Sequence, residues 1–481
     1  MRYSQAVYSH SQEVNEPLII ELGSGTEGVQ EASDIPERMK RRGVPNLPCV
    51  PEITVVRHYT RLSQMNFGVD TGTYPLGSCT MKYNPKLNDE LASLEGFSML
   101  HPKQEESTAQ GALELLWRLE TFLKELTGMD AVTLEPAAGS QGELTGMLIT
   151  KAYFRERGET GRRKVLIPDT AHGSNFASAN MAGFEVVTIP SRNGELDPGI
   201  VSRYLGTDTA AFMITVPNTL GIFESNILTI NRMVHDAGAL AYFDGANMNA
   251  LLGRVKPGDL GFDIAHLNTH KTFSTPHGGG GPGAGPVCVK KFLEVYLPVP
   301  RLRRKEDGSL YWQHHLPRSV GRMREGYGNF GVLLRAYAYM RRLGLEGLSQ
   351  VSRDAVLISN YAAKRLSQRY LLPFPEKPRK HEFVVSAKGT GKRALEIAKG
   401  ILEYGHAPTV YFPQIVEEAL MVEFTETETK REIDEYTDAL LELPGRDLSA
   451  SPGSTSVSKL DEAGAARRPV LSWRELGVGS K

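Results

Sequence analysis

Lys271 sits in "LNTHKTFSTPHGGGGPGAGP" (267–286), between His270 and His277 and ahead of four consecutive glycines. A flexible linker would use the glycines but has no need of the lysine or the histidines. A lysine partly desolvated among glycines and histidines favours its neutral amine, which is a nucleophile. Three other stretches carry complementary chemistry. "EPAAGSQGE" (135–143) is a short turn entering a helix, where free backbone amides, with Ser140 and Gln141, would cradle a phosphate. "DTAHGSN" (169–175) puts His172 at a strand end, placed to hydrogen-bond its own turn or to lie flat over an aromatic ring. "AYFDGANMN" (241–249) ends a strand on Asp244. A carboxylate there needs a partner: a protonated ring nitrogen, a metal, or the amides of the next turn. Asn247, three residues on, could reach a neighbouring phenolic oxygen.

Each stretch alone is ambiguous, since a Gly-Ser turn often only caps a helix and a lone histidine often only braces a turn. In chain order the four form a set. A phosphate cradle, a ring-stacking histidine, a ring-nitrogen carboxylate and a Schiff-base lysine describe a pyridoxal 5'-phosphate site.

The elements that must hold such a set are legible too. Leu115, Leu116, Leu119, Phe122, Leu123 and Leu126 follow the spacing of one apolar helix face, and Gly128 is a stop signal. "KVLIP" (164–168), "EVVTIP" (185–190), "AAFMITVP" (210–217) and "ALAYFD" (239–244) read as buried strands. "SQGELTGMLITKAYFRERG" and "NILTINRMVHDAGA" read as helices between them. This alternation predicts an α/β fold, a mostly parallel sheet between helices, with ligands at the carboxyl ends of the strands. "RLRRKEDGS" (301–309) reads as a solvated loop, followed by a long helix around 332–343. A second α/β region holds "HEFVVSA" (381–387) as a strand and "GKRALEIAKGILEYG" as a helix. The expected organisation is an N-terminal arm over 1–95, a large cofactor domain over 96–335, a small C-terminal α/β domain over 336–444 and a tail over 445–481.

Composition narrows the partners. A net charge of -1 over 481 residues argues against binding nucleic acid or a membrane surface through bulk charge. No apolar run reaches the length of a membrane span, and the N-terminus lacks a secretory pattern, so a soluble chain is expected. Three cysteines, Cys49, Cys79 and Cys288, without metal-ligand spacing, fit a reducing cytoplasm and no metal site.

Several stretches resemble one family. "RHYTRLSQMNFGVDTGTYPLGSCTMKYNP" (57–85), "EPAAGSQGE", "DTAHGSN", "FDGANMNA", "KTFSTPHGGGGPG", "GNFGVLLRAYAYMR" (328–341) and "EALMVEFTETETK" (418–430) are similar to glycine dehydrogenase (decarboxylating), the P-protein of the glycine cleavage system. That family occurs as one long chain of two homologous halves or as two subunits. At 481 residues this chain resembles subunit 2, the half with the cofactor lysine. The resemblance implies a fold-type I pyridoxal-phosphate enzyme that decarboxylates glycine and passes the aminomethyl group to the lipoyl arm of H-protein. It also implies a subunit 1 partner, two of each subunit in a heterotetramer. Another fold-type I enzyme, an aminotransferase or a cysteine desulfurase, is the alternative. By resemblance Lys271 is the Schiff-base lysine, His172 stacks on the ring and Asp244 pairs with the ring nitrogen. Gly139, Ser140 and Gln141 lie at the phosphate, and Asn218 and Asn247 are candidates for the phenolic oxygen. Asn268 and His270 flank the lysine on the cofactor side, and His277 is a candidate catalytic group. His270 and His277 could donate protons or touch the substrate carboxylate. The family more usually has Asn before the proline of "MITVPNTLG"; here Val216 stands there and is left out of the site. Cys79 is read as an inert cysteine, since the sulfur chemistry belongs to the lipoyl arm. "PHGGGG" is expected to bring bare backbone against the substrate, so that only glycine fits.

Overall fold

The computed structural model describes residues 16–23, 34–42, 49–277, 283–410, 415–453, 461–472 and 475. They fall into two compact units. The smaller comprises 1–73, 396–408 and 445–481, and the larger comprises 74–395 and 409–444. In the smaller, a helix over Glu52–Gln64 is anchored by His58 and Arg61, whose side chains meet the buried Glu16 carboxylate at 2.8 and 3.2 Å.

The larger unit is built on a seven-stranded sheet. Its strands are β1 (Ala131–Thr133), β2 (Lys164–Pro168), β3 (Glu185–Ile189), β4 (Thr209–Thr215), β5 (Leu240–Gly245), β6 (Ile264–Leu267) and β7 (Val287–Val289), in the order β1-β7-β6-β5-β4-β2-β3. Only β7 runs against its neighbours. The four apolar runs expected as strands are β2 to β5, with ends moved by a residue or two. Strands buried on both faces need two hydrophobic layers, and the alternation supplies them. Phe212, Ile214, Ala241 and Phe243 point into one core cluster, while Ala211, Met213, Leu240 and Tyr242 point into the other.

Helix α1 (Gln110–Thr127) buries the expected leucine stripe and ends at Gly128, where φ is 67°. Helices α2 (Gly139–Glu156) and α3 (Gly173–Met181) begin just past β1 and β2, and α4 (Ile227–Asp236) links β4 to β5. One helical turn, α5 (Thr269–Thr272), follows β6. The long helix is α6 (Phe330–Leu366), broken at Gly344 where φ is 61°, so its first half ends where the expected helix does and the whole crosses the expected boundary at 335.

The solvated loop expected over 301–309 is instead most of a hairpin. Strands β8 (Arg301–Arg304) and β9 (Leu310–Gln313) pair antiparallel, with Leu302 and Leu310 buried. The turn carries Asp307-Gly308 with Gly308 at φ 86°. An Asp-Gly pair between alternating residues is a hairpin signal, and the basic residues masked it. In the larger unit β10 (Phe383–Ser386) pairs antiparallel with β11 (Ala419–Val422), and the expected helix is observed over Ala394–Leu402, most of it in the smaller unit.

Candidate active site

The carboxyl ends of the parallel strands surround a cavity of ≈ 440 Å³, within the usual range of about 300–1,000 Å³ for small-molecule sites. Gly139, Ser140, His172, Asp244, Asn247, Asn268, His270, Lys271 and His277 all line it. Asn218 and Gln141 do not.

Helix α2 supplies the anion-binding end. Its cap residue is Ala138, whose side chain offers no hydrogen bond, and the first intrahelical bond closes from Gly142 N to Ala138 O. The amides of Gly139, Ser140 and Gln141 therefore precede the hydrogen-bonded ladder, at the positive end of the helix dipole. No side chain fits at 139, where a Cβ would lie 2.1 Å from Asn268 Oδ1. The Gln141 side chain is used elsewhere: Oε1 accepts from Ala137 N at 2.6 Å and Nε2 donates to Met323 O at 2.9 Å.

Asp244 ends β5 and is 1 % exposed. Its Oδ2 accepts from Thr215 Oγ1 at 2.9 Å and Asn175 Nδ2 at 3.1 Å, and its Oδ1 accepts from Ala246 N at 2.9 Å. Thr215, Asp244 and His266 stand at matched register positions on β4, β5 and β6. His266 Nε2 lies 3.1 Å from Asp244 Oδ1, a contact that becomes an ion pair when the imidazole is protonated. Burial would raise the Asp244 carboxyl, but His266 and the hydrogen bonds hold it well below the usual carboxylate range. Burial works against a charge on His266, and Asp244 raises it. Glu143 completes the cluster: burial raises its carboxyl, and Ser174 and Ser178 donate to it at 2.8 and 3.0 Å.

Lys271 lies in α5, and its Nζ donates to Ser78 O at 2.8 Å. His270 and His277 stand edge to face with ring centroids 5.3 Å apart. Burial, then His277 and Lys271, push His270 down to about 3, and burial and Lys271 lower His277 as well, so both rings are neutral near pH 7. His270 Nδ1, His277 Nε2 and Asn268 Oδ1 are buried yet find no hydrogen-bond partner among the described residues. The three residues line the cavity, with these atoms turned beneath its surface. His172 lies open to the cavity and caps α3, with Nδ1 accepting from Ser174 N at 3.2 Å.

Two expectations about the phenolic oxygen are not met by this arrangement. Asn218 is fully buried in its own turn, with Nδ2 on Gly194 O and Glu224 Oε1 at 2.8 and 3.0 Å and Oδ1 accepting from Leu220 N and Ile222 N. Asn247 lines the cavity, but both hydrogens of its amide are engaged, on Pro217 O at 2.9 Å and Glu382 Oε1 at 3.0 Å. A short polar side chain after a strand is as well suited to bracing the turn as to meeting a ligand. Val216 is wholly buried in the core. The glycines at 278–281, expected to set substrate size, lie outside the described residues.

The sequence reading missed Glu143, His266, Ser78, Glu382 and Glu423. A histidine inside the apolar run "GFDIAHL" was the one available signal, because a buried imidazole needs a partner.

Residues 351–456 match the family model described as glycine dehydrogenase, C-terminal domain, and residues 146–299 match that of aminotransferase class-V. A protein named probable glycine dehydrogenase (decarboxylating) subunit 2 from Thermococcus onnurineus (strain NA1) is 52% identical, over 96% of this chain and 96% of its own. A protein of the same name from Thermotoga petrophila is 53% identical over 92% of this chain and 96% of its own. Among solved structures, a glycine decarboxylase (P-protein) of the glycine cleavage system, in inhibitor-bound form, superposes with a TM-score of 0.71 at 22% identity, covering 85% of this chain and 93% of its own. A NifS-like protein superposes with a TM-score of 0.61 at 15% identity, covering 78% of this chain and 99% of its own. These likenesses, with the mostly parallel sheet, establish the fold-type I architecture.

Proposed function

The chain belongs to the family of glycine dehydrogenase (decarboxylating) subunit 2, and on that premise we propose that the cavity decarboxylates glycine with pyridoxal 5'-phosphate. The observation that carries the site is the convergence of Lys271, Asp244 and the start of α2 on one cavity wall.

Pyridoxal phosphate, when bound, supplies the electron sink for the carbanion left as the glycine carboxylate departs. The amides of Gly139, Ser140 and Gln141 would hold the phosphate. Asp244, kept ionised by His266, would accept from the ring nitrogen and keep it charged. His172 would lie on the ring face, and Lys271 would hold the cofactor and give way to substrate. His270 and His277 are neutral and can donate N–H groups to the substrate carboxylate without trapping it as an ion pair.

The rest of the proposal follows the family. The aminomethyl group passes to the lipoyl arm of H-protein, the chain works with subunit 1, two of each, and the assembly is cytoplasmic. The absence of any helix, among the described residues, long and apolar enough to cross a membrane agrees with this. A cysteine desulfurase needs a thiolate. None of Cys49, Cys79 and Cys288 lines the cavity, and burial pushes Cys79 up to about 11 and Cys288 up to about 12, so neither of these offers one near pH 7. The test is exchange of labelled CO2 into the glycine carboxyl by the chain purified with subunit 1. Exchange that requires lipoylated H-protein supports the reading; a keto acid released without H-protein refutes it.

A further inference from the structure

Two segments far apart in sequence clasp each other beside the cavity. Lys271 Nζ donates to Ser78 O at 2.8 Å, and Lys82 Nζ donates to Thr272 O at 2.9 Å. Each segment thus offers a carbonyl to the other's lysine. The 78–82 segment carries unusual backbone, with φ 64° at Ser78 and 49° at Thr80. A β-branched residue in the left-handed region is strained and persists only where its surroundings impose it. Two carboxyls impose it here. Glu382 Oε2 accepts from Ser78 N at 2.8 Å. Glu423 accepts from Thr80 N at 2.8 Å through Oε2 and from Thr80 Oγ1 at 2.5 Å through Oε1.

These glutamates flank β10 and β11 and are sealed from solvent, at 0 % and 1 % exposure. The His381 ring, neutral and with both nitrogens unpartnered among the described residues, stands 3.8 and 3.7 Å from them. Burial raises both carboxyls, Glu423 to about 7, and the Glu423 charge raises Glu382 further, while Lys271 pulls the other way on both. Glu382 Oε1 also accepts from Asn247 Nδ2 at 3.0 Å, and the two glutamates together fix the segment whose Ser78 carbonyl meets the amine of Lys271 at 2.8 Å beside the cavity.

We propose that Ser78 O is the resting place of the Lys271 amine whenever that amine is not bonded to cofactor, and that Glu382 and Glu423 are positioning residues that hold this rest in place. The inference depends on the cofactor reading above. When glycine takes the lysine's place, Lys271 would leave as the free amine, its bond to the cofactor replaced by one to the glycine nitrogen and its proton taken from the glycine amine. The freed amine then has a fixed acceptor and returns from a defined position.

The test uses the full-length, cofactor-loaded enzyme. Stopped-flow absorbance reads the rate at which glycine changes the cofactor band. Glu423→Gln and Glu382→Gln each replace an acceptor oxygen by a donor, and Thr80→Ala removes the hydroxyl. Each should slow the change by about 10- to 100-fold, the scale of a misplaced reacting group. Thr80→Ser should restore it. Cofactor affinity and borohydride labelling of Lys271 without glycine should stay at wild-type levels. Variants that lose melting temperature and cofactor together, yet react at the wild-type rate per bound cofactor, would overturn the proposal. Absence of label on wild-type Lys271 would instead overturn the cofactor reading and the rest with it.

Discussion

Asp244 and His266 face each other from matched positions on adjacent parallel strands, Oδ1 to Nε2 at 3.1 Å, with both side chains sealed from solvent. His266 and the hydrogen bonds to Asp244 hold its carboxylate in the charged form, well below the usual carboxylate range, although burial opposes it. Asp244→Asn preserves shape and removes that charge. It is expected to retain cofactor and to lose about 100- to 1,000-fold in glycine decarboxylation, the usual cost of one preorganised electrostatic group. Turnover and cofactor absorbance on the same sample check this, and near-normal turnover would remove Asp244 from the mechanism.

The neutral histidines predict an acid-sensitive protein. An unfolded histidine takes up a proton below about pH 6.5, while folded His270 does so only near 3. Between those values the unfolded state binds more protons, so the stability that His270 contributes is present above about pH 6.5 and is lost as pH falls. His270→Gln, stripped of cofactor, should lose less melting temperature than wild type between pH 7 and 5. His381, also pushed to about 3 by burial and then Lys271 and Lys82, keeps part of the slope in both proteins. Parallel melting curves across that range would contradict the assignment.

Gly139→Ala places a methyl group 2.1 Å from Asn268 Oδ1 at the start of α2. Either Asn268 turns into the cavity or the helix start moves. Both disturb the amides assigned to the phosphate, and about tenfold weaker cofactor binding is expected, near 1.4 kcal/mol. Fluorescence titration of stripped protein measures it. Unchanged affinity would place the phosphate elsewhere.

Val216→Asn tests the position left out of the site. Val216 packs in the core, and an unpaired amide buried there costs about 1–3 kcal/mol. A drop of that size in denaturant stability is expected. A variant as stable as the parent would show polar partners at 216.

What the sequence made legible was whatever depends on local pattern. Strand β2 follows from "KVLIP" and α1 from its leucine spacing, because burial of one face or both leaves a period in the chain. Lys271, Asp244 and the start of α2 were legible because the role proposed for each is tied to residue type or to a helix start. The cluster around them was not. His266 matters through its register beside Asp244, which belongs to the sheet and not to any one segment. Ser78 acts through a carbonyl that every residue has, so its type carries no signal. Asn218 and Asn247 had suitable chemistry, but their hydrogen bonds went to turn carbonyls and buried glutamates that only the folded chain brings near. The β8–β9 hairpin was hidden for a nearer reason: its basic residues have the composition of a solvated loop, although Asp307-Gly308 marks the turn.

The account rests on Lys271 carrying the cofactor in this cavity. Borohydride reduction of the loaded enzyme followed by peptide mass analysis tests that directly. The predicted result is a phosphopyridoxyl group on the peptide containing Lys271, and its loss together with the visible band in Lys271→Ala. A label on another lysine, or a visible band unchanged in Lys271→Ala, would contradict it.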